Sequence, residues 1–516
     1  MTLFSGSYGY ALADGEDSSI SPRYLPLIGK VDDRFQSYNV EMVEVTGGRF
    51  WKPYADIGPV LEKQGEAKAS GSKGMNPELF GYRPPVDLNN KRLRNLAAAL
   101  SPAYVRTSGS WANNTYFPES DTLPTKIPDG FGGVLSREQW KKLVDFSNEV
   151  DAPIITSFAI SAGVRDSSGA WTSAQAERFL AYTREINGHI AAAEFMNEPN
   201  APAIGGAPPG YDAAAYGRDF KVFHKFLRKT ASDIQILGPG SVGENDADWG
   251  MSHTGLPMVD TSELLSAAGR GIDGFSYHHY SAVSQRCAPA SQTTEQAALS
   301  EQWLERTEIS LAFYRKLRDS FEPGKPIWLT ETGDAACGGN PWAATFRDTF
   351  RYLDQLGRLA KQGVQMVAHN TLVASDYGLI DEHDFTPRPN YWAAALWSKT
   401  MGAAVLEAGL KNRVGLHIYA HCTRSVPGSV SLLVINNDET NASSIELPIP
   451  SERYTLSSSS GLSTKDVMLN GKVLAVSDND TVPAFDAVQV AAGRVRFDPA
   501  TITFLIVPTA ENQACM

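Results

Sequence analysis

Between residues 38 and 401 the chain alternates short runs rich in β-branched and aromatic residues with longer amphipathic stretches, a rhythm repeated eight times. The β-rich runs are 38–45, 103–107, 153–160, 190–196, 234–237, 274–280, 327–330 and 364–369. Helical patterns lie between them at 88–100, 136–150, 173–187, 212–231, 293–318, 345–361 and 391–401. Several open on Ser, Thr, Asp or Asn, whose side chains satisfy the first free N–H groups of a helix. Parallel strands need long, usually helical crossovers, and eight such units close most simply into a (β/α)8 TIM barrel of class α/β. A barrel takes about 250 residues or more, so a chain of 516 has material for a second domain.

After residue 401 the pattern becomes alternating strands split by turn clusters, LHIYAHC, VSLLVINND, IELPI, VLAVSD, VQVAAG and VRFDPATITFLIV. This predicts a catalytic barrel over 37–401 and an appended all-β sandwich over 402–516. Residues 1–36 show no βα character and are expected to join the sandwich. Residues 52–85, rich in Pro, Gly and Lys, are expected to form a long loop at the barrel mouth.

Composition removes several functional classes. A formal net charge of -12 speaks against nucleic acid or another polyanion as the main partner. No run approaches the roughly 18 apolar residues that span a bilayer, so membrane insertion is not expected. The four cysteines show no CxxC spacing. The domain map leaves two candidate pairs, Cys287 with Cys337 and Cys422 with Cys515, against the alternative of four buried thiols. Neither a metal nor a cofactor is expected. HExxH and GxSxG are absent, and the GxGxxG at 238–243 runs on into ENDADWG rather than a helix that could hold a pyrophosphate.

In a barrel the residues at the C-terminal strand ends face the active-site mouth. The fourth run, AAAEFMNEPN, delivers Asn197 and Glu198; the seventh, PIWLTETGDAACGG, delivers Glu331. Cleaving a glycosidic bond with retention needs one carboxyl group to protonate the leaving oxygen and another, about 5–5.5 Å away, to attack the anomeric carbon. Glu198 is read as general acid/base and Glu331 as nucleophile, with Asn197 placed to bond a sugar 2-hydroxyl. A lone glutamate after a strand is more often a solvated loop residue, and it is the pair that reverses this. Glu194 is read as a buried support.

The segments LSPAYVRTSGS (100–110), AAAEFMNEPN (191–200), FSYHHY (275–280), PIWLTETGDAACGG (326–339), DTFRYLDQLGRLAKQGV (348–364) and SDYGLID with PRPNYWAAALWSKTMG (375–402) resemble, in order and spacing, the heparanase and β-glucuronidase group, glycoside hydrolase family 79. The resemblance implies a barrel with a β-sandwich and the same two glutamates. It also implies that a uronic carboxylate is taken by backbone N–H groups after the nucleophile, at Gly338, and by Tyr377. Relatives often carry an aromatic residue where this chain has Ala336. His279, Tyr280 and Ser110 match further sugar-binding positions, although only one of the adjacent His278 and His279 can line the barrel. Arg106 is read as an interior partner for carboxylates.

These readings describe a retaining exo-β-glucuronidase that releases terminal glucuronic acid, or its 4-O-methyl form, from a glycan or glycoside. Endo cleavage and a non-catalytic carbohydrate-binding barrel are the alternatives. The expected location is secreted or periplasmic, with no export signal in the chain as given; a cytoplasmic location is the alternative. Sequons at Asn113, Asn441 and Asn479 have meaning only in a eukaryotic secretory host.

Overall fold

The computed structural model describes residues 19–62, 76–245, 247, 249, 257–287 and 294–516. Eight parallel strands close into a barrel: Gln36–Asn39, Val105–Thr107, Ile154–Ser157, Ile190–Glu194, Gln235–Val242, Gly274–Tyr280, Ile327–Gly333 and Met366–His369. The eighth strand pairs with the first through Val367 opposite Gln36 and His369 opposite Tyr38. Helices cover the outside, so strands such as Gly274–Tyr280 are buried along their whole length. Inside the barrel Ile155, Ala192, Leu237, Trp328, Met366 and Ala368 form an apolar plug.

Several elements differ from the sequence reading, each for a local reason. The first strand ends at Asn39 because the Glu41 backbone N–H is taken by the Glu44 carboxylate at 2.7 Å, which opens a short helix over Met42–Thr46. Its Val43 and Val45 had read as strand. The fifth strand runs on to Val242 through most of the GxGxxG segment, with Gly238 paired in the sheet, Gly240 at a shift of register and Gly243 just past the strand end. The pattern at 293–318 breaks into Glu295–Leu299, Glu301–Leu304 and Arg306–Phe321, since the Ser300 hydroxyl caps the second piece by accepting from the Trp303 N–H at 3.2 Å. Residue 293 lies outside the described residues. A helix at Thr261–Ala268 had no counterpart in the reading.

The second domain begins at Met401, directly after helix Pro389–Thr400. Its main antiparallel sheet includes Leu27–Lys30, which pairs with Met401–Leu406, and Ile20 donates to the Glu446 carbonyl at 3.0 Å. Residues 19–30 therefore lie on this domain, while 1–18 are outside the described residues. A two-stranded sheet, Ser443–Leu447 with Gly493–Phe497, covers one face, with Ile445, Leu447, Val495 and Phe497 against Leu432 and Val434. The other face packs on the barrel, with Leu433, Ile435 and Phe504 in the core shared with helix Phe346–Lys361.

Buried charge crosses this junction. His417 of the sheet domain meets Asp354 at 2.6 Å and Glu301 at 2.9 Å, while Arg358 Nε donates to Asp354 at 2.6 Å. Burial alone would lower His417, but the two carboxylates outweigh it and lift the imidazole to about 9. Burial likewise opposes ionised Asp354, yet His417 and Arg358 hold it at about 2. The stability that His417 contributes is fully present below 6.5 and is lost as pH rises through about 9; that of Asp354 is lost only as pH falls from 3.8 through about 2. Denaturant unfolding at pH 6 and pH 9 should therefore show His417→Gln destabilised at pH 6 by on the order of 3 kcal/mol. The deficit should shrink at pH 9.

Candidate active site

Arg106, on the second strand and wholly buried, is the centre of the barrel's polar layer. Its Nε and Nη2 donate to Glu194 Oε2 at 3.1 and 2.8 Å, Nη1 to Glu331 Oε2 at 2.8 Å, and Nη2 also to Asn197 Oδ1 at 2.9 Å. One planar guanidinium thus serves both carboxylates and orients the amide between them. Burial alone would raise Glu194, but Arg106 and His278 outweigh it and hold the carboxyl below its ordinary range. Thr330 Oγ1 donates to its other oxygen at 2.8 Å. The Glu194 side chain has no exposure, whereas those of Glu198 and Glu331 are 13% and 7% exposed. Only the latter two can meet a ligand.

The two reachable glutamates have different surroundings. Glu331 Oε1 accepts from the Tyr280 hydroxyl at 2.6 Å, so together with Arg106 both its oxygens take strong donors. Glu198 Oε1 faces His278 Nδ1 at 3.0 Å. The Arg106 guanidinium lies 3.1 Å from His278 Nε2, which must therefore accept, leaving Nδ1–H to donate to Glu198. Burial pushes His278 down to about 4, so the ring is neutral near pH 6 and adds no positive charge beside Glu198. Burial raises Glu198 to about 7, with Arg106 opposing and Glu194 assisting. An oxygen from each glutamate and a nitrogen of His278 lie within 4.8 Å of one another. Those three could ligate a cation in geometry, but Arg106 already occupies Glu331 Oε2 and its charge opposes one.

Glu198 has a φ of +49°, a left-handed conformation uncommon for a side-chain-bearing residue. The turn is held from both sides. Asn113 Oδ1 accepts from the Asn197 N–H at 2.9 Å, while its Nδ2 donates to the carbonyls of Asn197 and Gly205 at 2.9 and 2.8 Å. Asn200 exchanges bonds of 3.0 and 2.8 Å with the Val242 backbone at the end of the fifth strand. Asn113 is thus a buried clamp whose committed amide leaves nothing for a glycan, whereas Asn441 and Asn479 are exposed.

These groups open onto a cavity of about 320 Å³. Asn197, Glu198, Glu331, Ser110, Tyr280 and Tyr377 all line it. Gly338 does not, although Ala336 and Cys337 before it do. The assignment of His279 to the site needs correction. Its ring points outward and meets Ser310 Oγ on helix Arg306–Phe321 at 2.9 Å, because strand parity sends neighbours to opposite faces and His278 takes the inner one. Both cysteine pairs are joined, Cys287 with Cys337 and Cys422 with Cys515.

Glu41, Trp51, Trp111 and Asn370 also line the cavity and were missed in the sequence. Asn370 Nδ2 links the site by donating to Glu41 Oε1 at 2.8 Å, the Tyr280 oxygen at 2.9 Å and the Tyr377 oxygen at 3.2 Å. Burial, reinforced by nearby Glu331, holds the Glu41 carboxyl well above its usual range. Glu41 and Asn370 follow the first and eighth strands, so the strand-end rule that found Glu198 could have flagged both.

A closed parallel barrel whose mouth cavity carries Glu198 after the fourth strand and Glu331 on the seventh fits a glycoside hydrolase. The sequence model described as glycosyl hydrolase family 79, N-terminal domain, matches residues 85–357, and the chain belongs to that family. Mouse heparanase (Mus musculus) is 29% identical over 83% of this chain and 88% of its own. Heparanase-like protein 1 of Arabidopsis thaliana is 25% identical over 84% and 88%. Among solved structures, an α-L-arabinofuranosidase from Thermotoga maritima superposes with a TM-score of 0.62 at 15% identity, covering 95% of this chain and 99% of that one, a likeness of fold.

Removing the central cation leaves buried carboxylates unpaired. Arg106→Met should cost roughly 3–5 kcal/mol of stability at pH 7. Burial would then lift Glu194 above 4.5, so the penalty applies above that pH and is relieved as pH falls through it. Thermal unfolding of both proteins between pH 4 and 7 checks this.

Proposed function

We propose that the protein is an exo-acting, retaining β-glucuronidase in which Glu331 attacks the anomeric carbon and Glu198 handles the proton. The approach of the two carboxylates to within 4.8 Å carries this reading. It is close to the spacing of about 5–5.5 Å used in retention and short of the roughly 6.5–9.5 Å that admits an inverting water. Glu331, with a donor on each oxygen, is held in place to attack. Glu198, held at about 7, is suited to carry a proton to the leaving oxygen. Having lost it, Glu198 takes a proton from the water that opens the glycosyl ester. Asn197, whose Oδ1 is occupied by Arg106, keeps Nδ2 for a sugar hydroxyl.

Exo action is supported by the hairpin that pairs Gly48–Trp51 with Phe80–Arg83; residues 63–75 of its connection lie outside the described residues. Trp51 and Phe80, with ring centroids 4.2 Å apart, wall the cavity beside the loop after strand seven. A Cβ built on Gly338 would stand 2.8 Å from Trp51 Cγ. If the sugar carboxylate binds at that loop, a chain continuing from O4 runs into this wall. The name heparanase carried by the relatives favours endo action on heparan as a second reading. Against it, the cavity lining includes Glu41, Glu198 and Glu331 but neither Lys nor Arg among the described residues, a poor match for a polyanion. Two disulfides support export to an oxidising compartment.

Glu331→Gln should abolish turnover of p-nitrophenyl β-glucuronide. Glu198→Ala should lose about 10²–10⁴-fold on substrates with poor leaving groups while largely sparing glycosylation by activated aryl glycosides. Because the acid must be protonated, wild-type kcat/KM should fall as pH rises through about 7, a limb missing from the Glu198→Ala profile. Full activity of either variant on a natural substrate refutes the assignment. Tyr377→Phe should raise KM for the glucuronide far more than for the matching glucoside; equal losses point to a neutral sugar.

A further inference from the structure

Arg286 is a second fully buried guanidinium, far along the chain from Arg106 and outside the cavity lining. It follows the sixth strand and ties together loops from four parts of the barrel mouth. Nη1 donates to the carbonyls of Cys337, Gly338 and Gly339 at 3.2, 2.9 and 2.9 Å. Nη2 donates to the Lys52 carbonyl at 2.8 Å and to the Asp376 carboxylate. The guanidinium carbon stands 3.9 Å from the Tyr54 ring centroid. Neighbouring hydroxyls hold the same carbonyls, Ser284 Oγ that of Cys337 and Ser375 Oγ that of Gly338, each at 3.0 Å.

The backbone these bonds hold is unusual. Cys337, Gly338 and Gly339 have φ of +66°, +80° and +83°, three consecutive left-handed residues. The carbonyls of all three residues converge on one donor, Arg286 Nη1. In a trans peptide the C=O and N–H point in opposite directions, so drawing the Cys337 carbonyl to Arg286 turns the Gly338 N–H away from it. Ala336 and Cys337 line the cavity while Gly338 and Arg286 do not, so the carbonyls that Arg286 holds begin at the residue where this loop leaves the cavity wall. A carbonyl bonded to a cation also polarises its peptide and makes the N–H a better donor. Gly338 has no room for a side chain, since a Cβ would stand 2.8 to 2.9 Å from Ser375 Oγ, Trp51 Cγ and Arg286 Nη1.

We propose that Arg286 is a positioning residue that sets specificity for a sugar carboxylate, by holding the Cys337–Gly339 carbonyls so that the Gly338 N–H faces the cavity. The inference rests on the uronate reading above. It gives Arg286 no contact with substrate. It also accounts for recognition of an anion in a cavity whose lining has no lysine or arginine among the described residues.

The test is steady-state kinetics of wild type, Arg286→Lys and Ser284→Ala on p-nitrophenyl β-glucuronide and β-glucoside, with thermal unfolding of each. Lysine keeps the charge but cannot reach three carbonyls and two further acceptors from one planar group. For Arg286→Lys the glucuronide-to-glucoside ratio of kcat/KM should fall at least tenfold, through KM for the glucuronide. Ser284→Ala removes one bond to the Cys337 carbonyl, should fold normally, and should shift the ratio about threefold the same way; it decides the matter if Arg286→Lys does not fold. An unchanged ratio, or parallel losses on both substrates, overturns the proposal. Wild type that shows no preference for the glucuronide overturns the uronate reading itself, a result separable from failure of the variants alone.

Discussion

The hydrogen-bonded ion contacts between Arg106 and the two carboxylates of Glu194 and Glu331 are what the rest of the site depends on. Three charged groups in a barrel interior are tolerable only if their hydrogen-bonding capacity is nearly all used. Here the same guanidinium that neutralises Glu194 also reaches Glu331 and Asn197, and its approach to His278 Nε2 decides which imidazole nitrogen carries the proton. The placement of two cavity-lining side chains, Asn197 and Glu331, and of the buried Glu194 and His278 behind them is thus set by one buried cation.

That arrangement separates two glutamates only a few ångströms apart. Glu331 takes a charged donor and a phenol; Glu198 takes one N–H from a neutral ring and is otherwise dominated by burial. Neutrality of His278 matters as much as its hydrogen bond, since an imidazolium there would pull Glu198 toward ionisation. Burial and like-charge proximity to Glu331 likewise push a third carboxyl, Glu41, well above its usual range.

Around this core the mouth is braced by backbone clamps rather than by further charge on the substrate. Asn113 and Asn200 hold the left-handed turn at Glu198, and Arg286 with the Cys287–Cys337 bridge holds the loop after strand seven. Helix Phe346–Lys361, which follows that loop, is buried between barrel and sheet domain over nearly its whole length. The sheet domain therefore packs on the helix that follows strand seven, and among the described residues it contributes none to the cavity lining.

Much of this was legible in the chain. The βα rhythm, the change of pattern near residue 401, the carboxylates at 198 and 331 and the interior residues at 106 and 194 follow from periodicity and from residue type at strand ends, while domain placement offered the two cysteine pairings beside the alternative of four free thiols. Periodicity gives the parity of a strand but not its phase, so it could not tell His278 from His279. It also could not foresee the register shifts at Tyr277/His278 and between Leu329 and Thr332, which let both Thr330 and Glu331 bond into the interior. The clamps were hidden for a different reason. Asn113 acts on a residue 84 positions away and Arg286 on carbonyls more than 50 away, and no local pattern marks an amide or guanidinium whose partners are backbone atoms of another loop. The sequence by itself determined which chemical groups reach the barrel mouth, because that follows from local propensity and alternation. Only the tertiary structure decided which groups share hydrogen bonds, and hence which carboxyl keeps its proton, because burial and distance exist only once the barrel has closed.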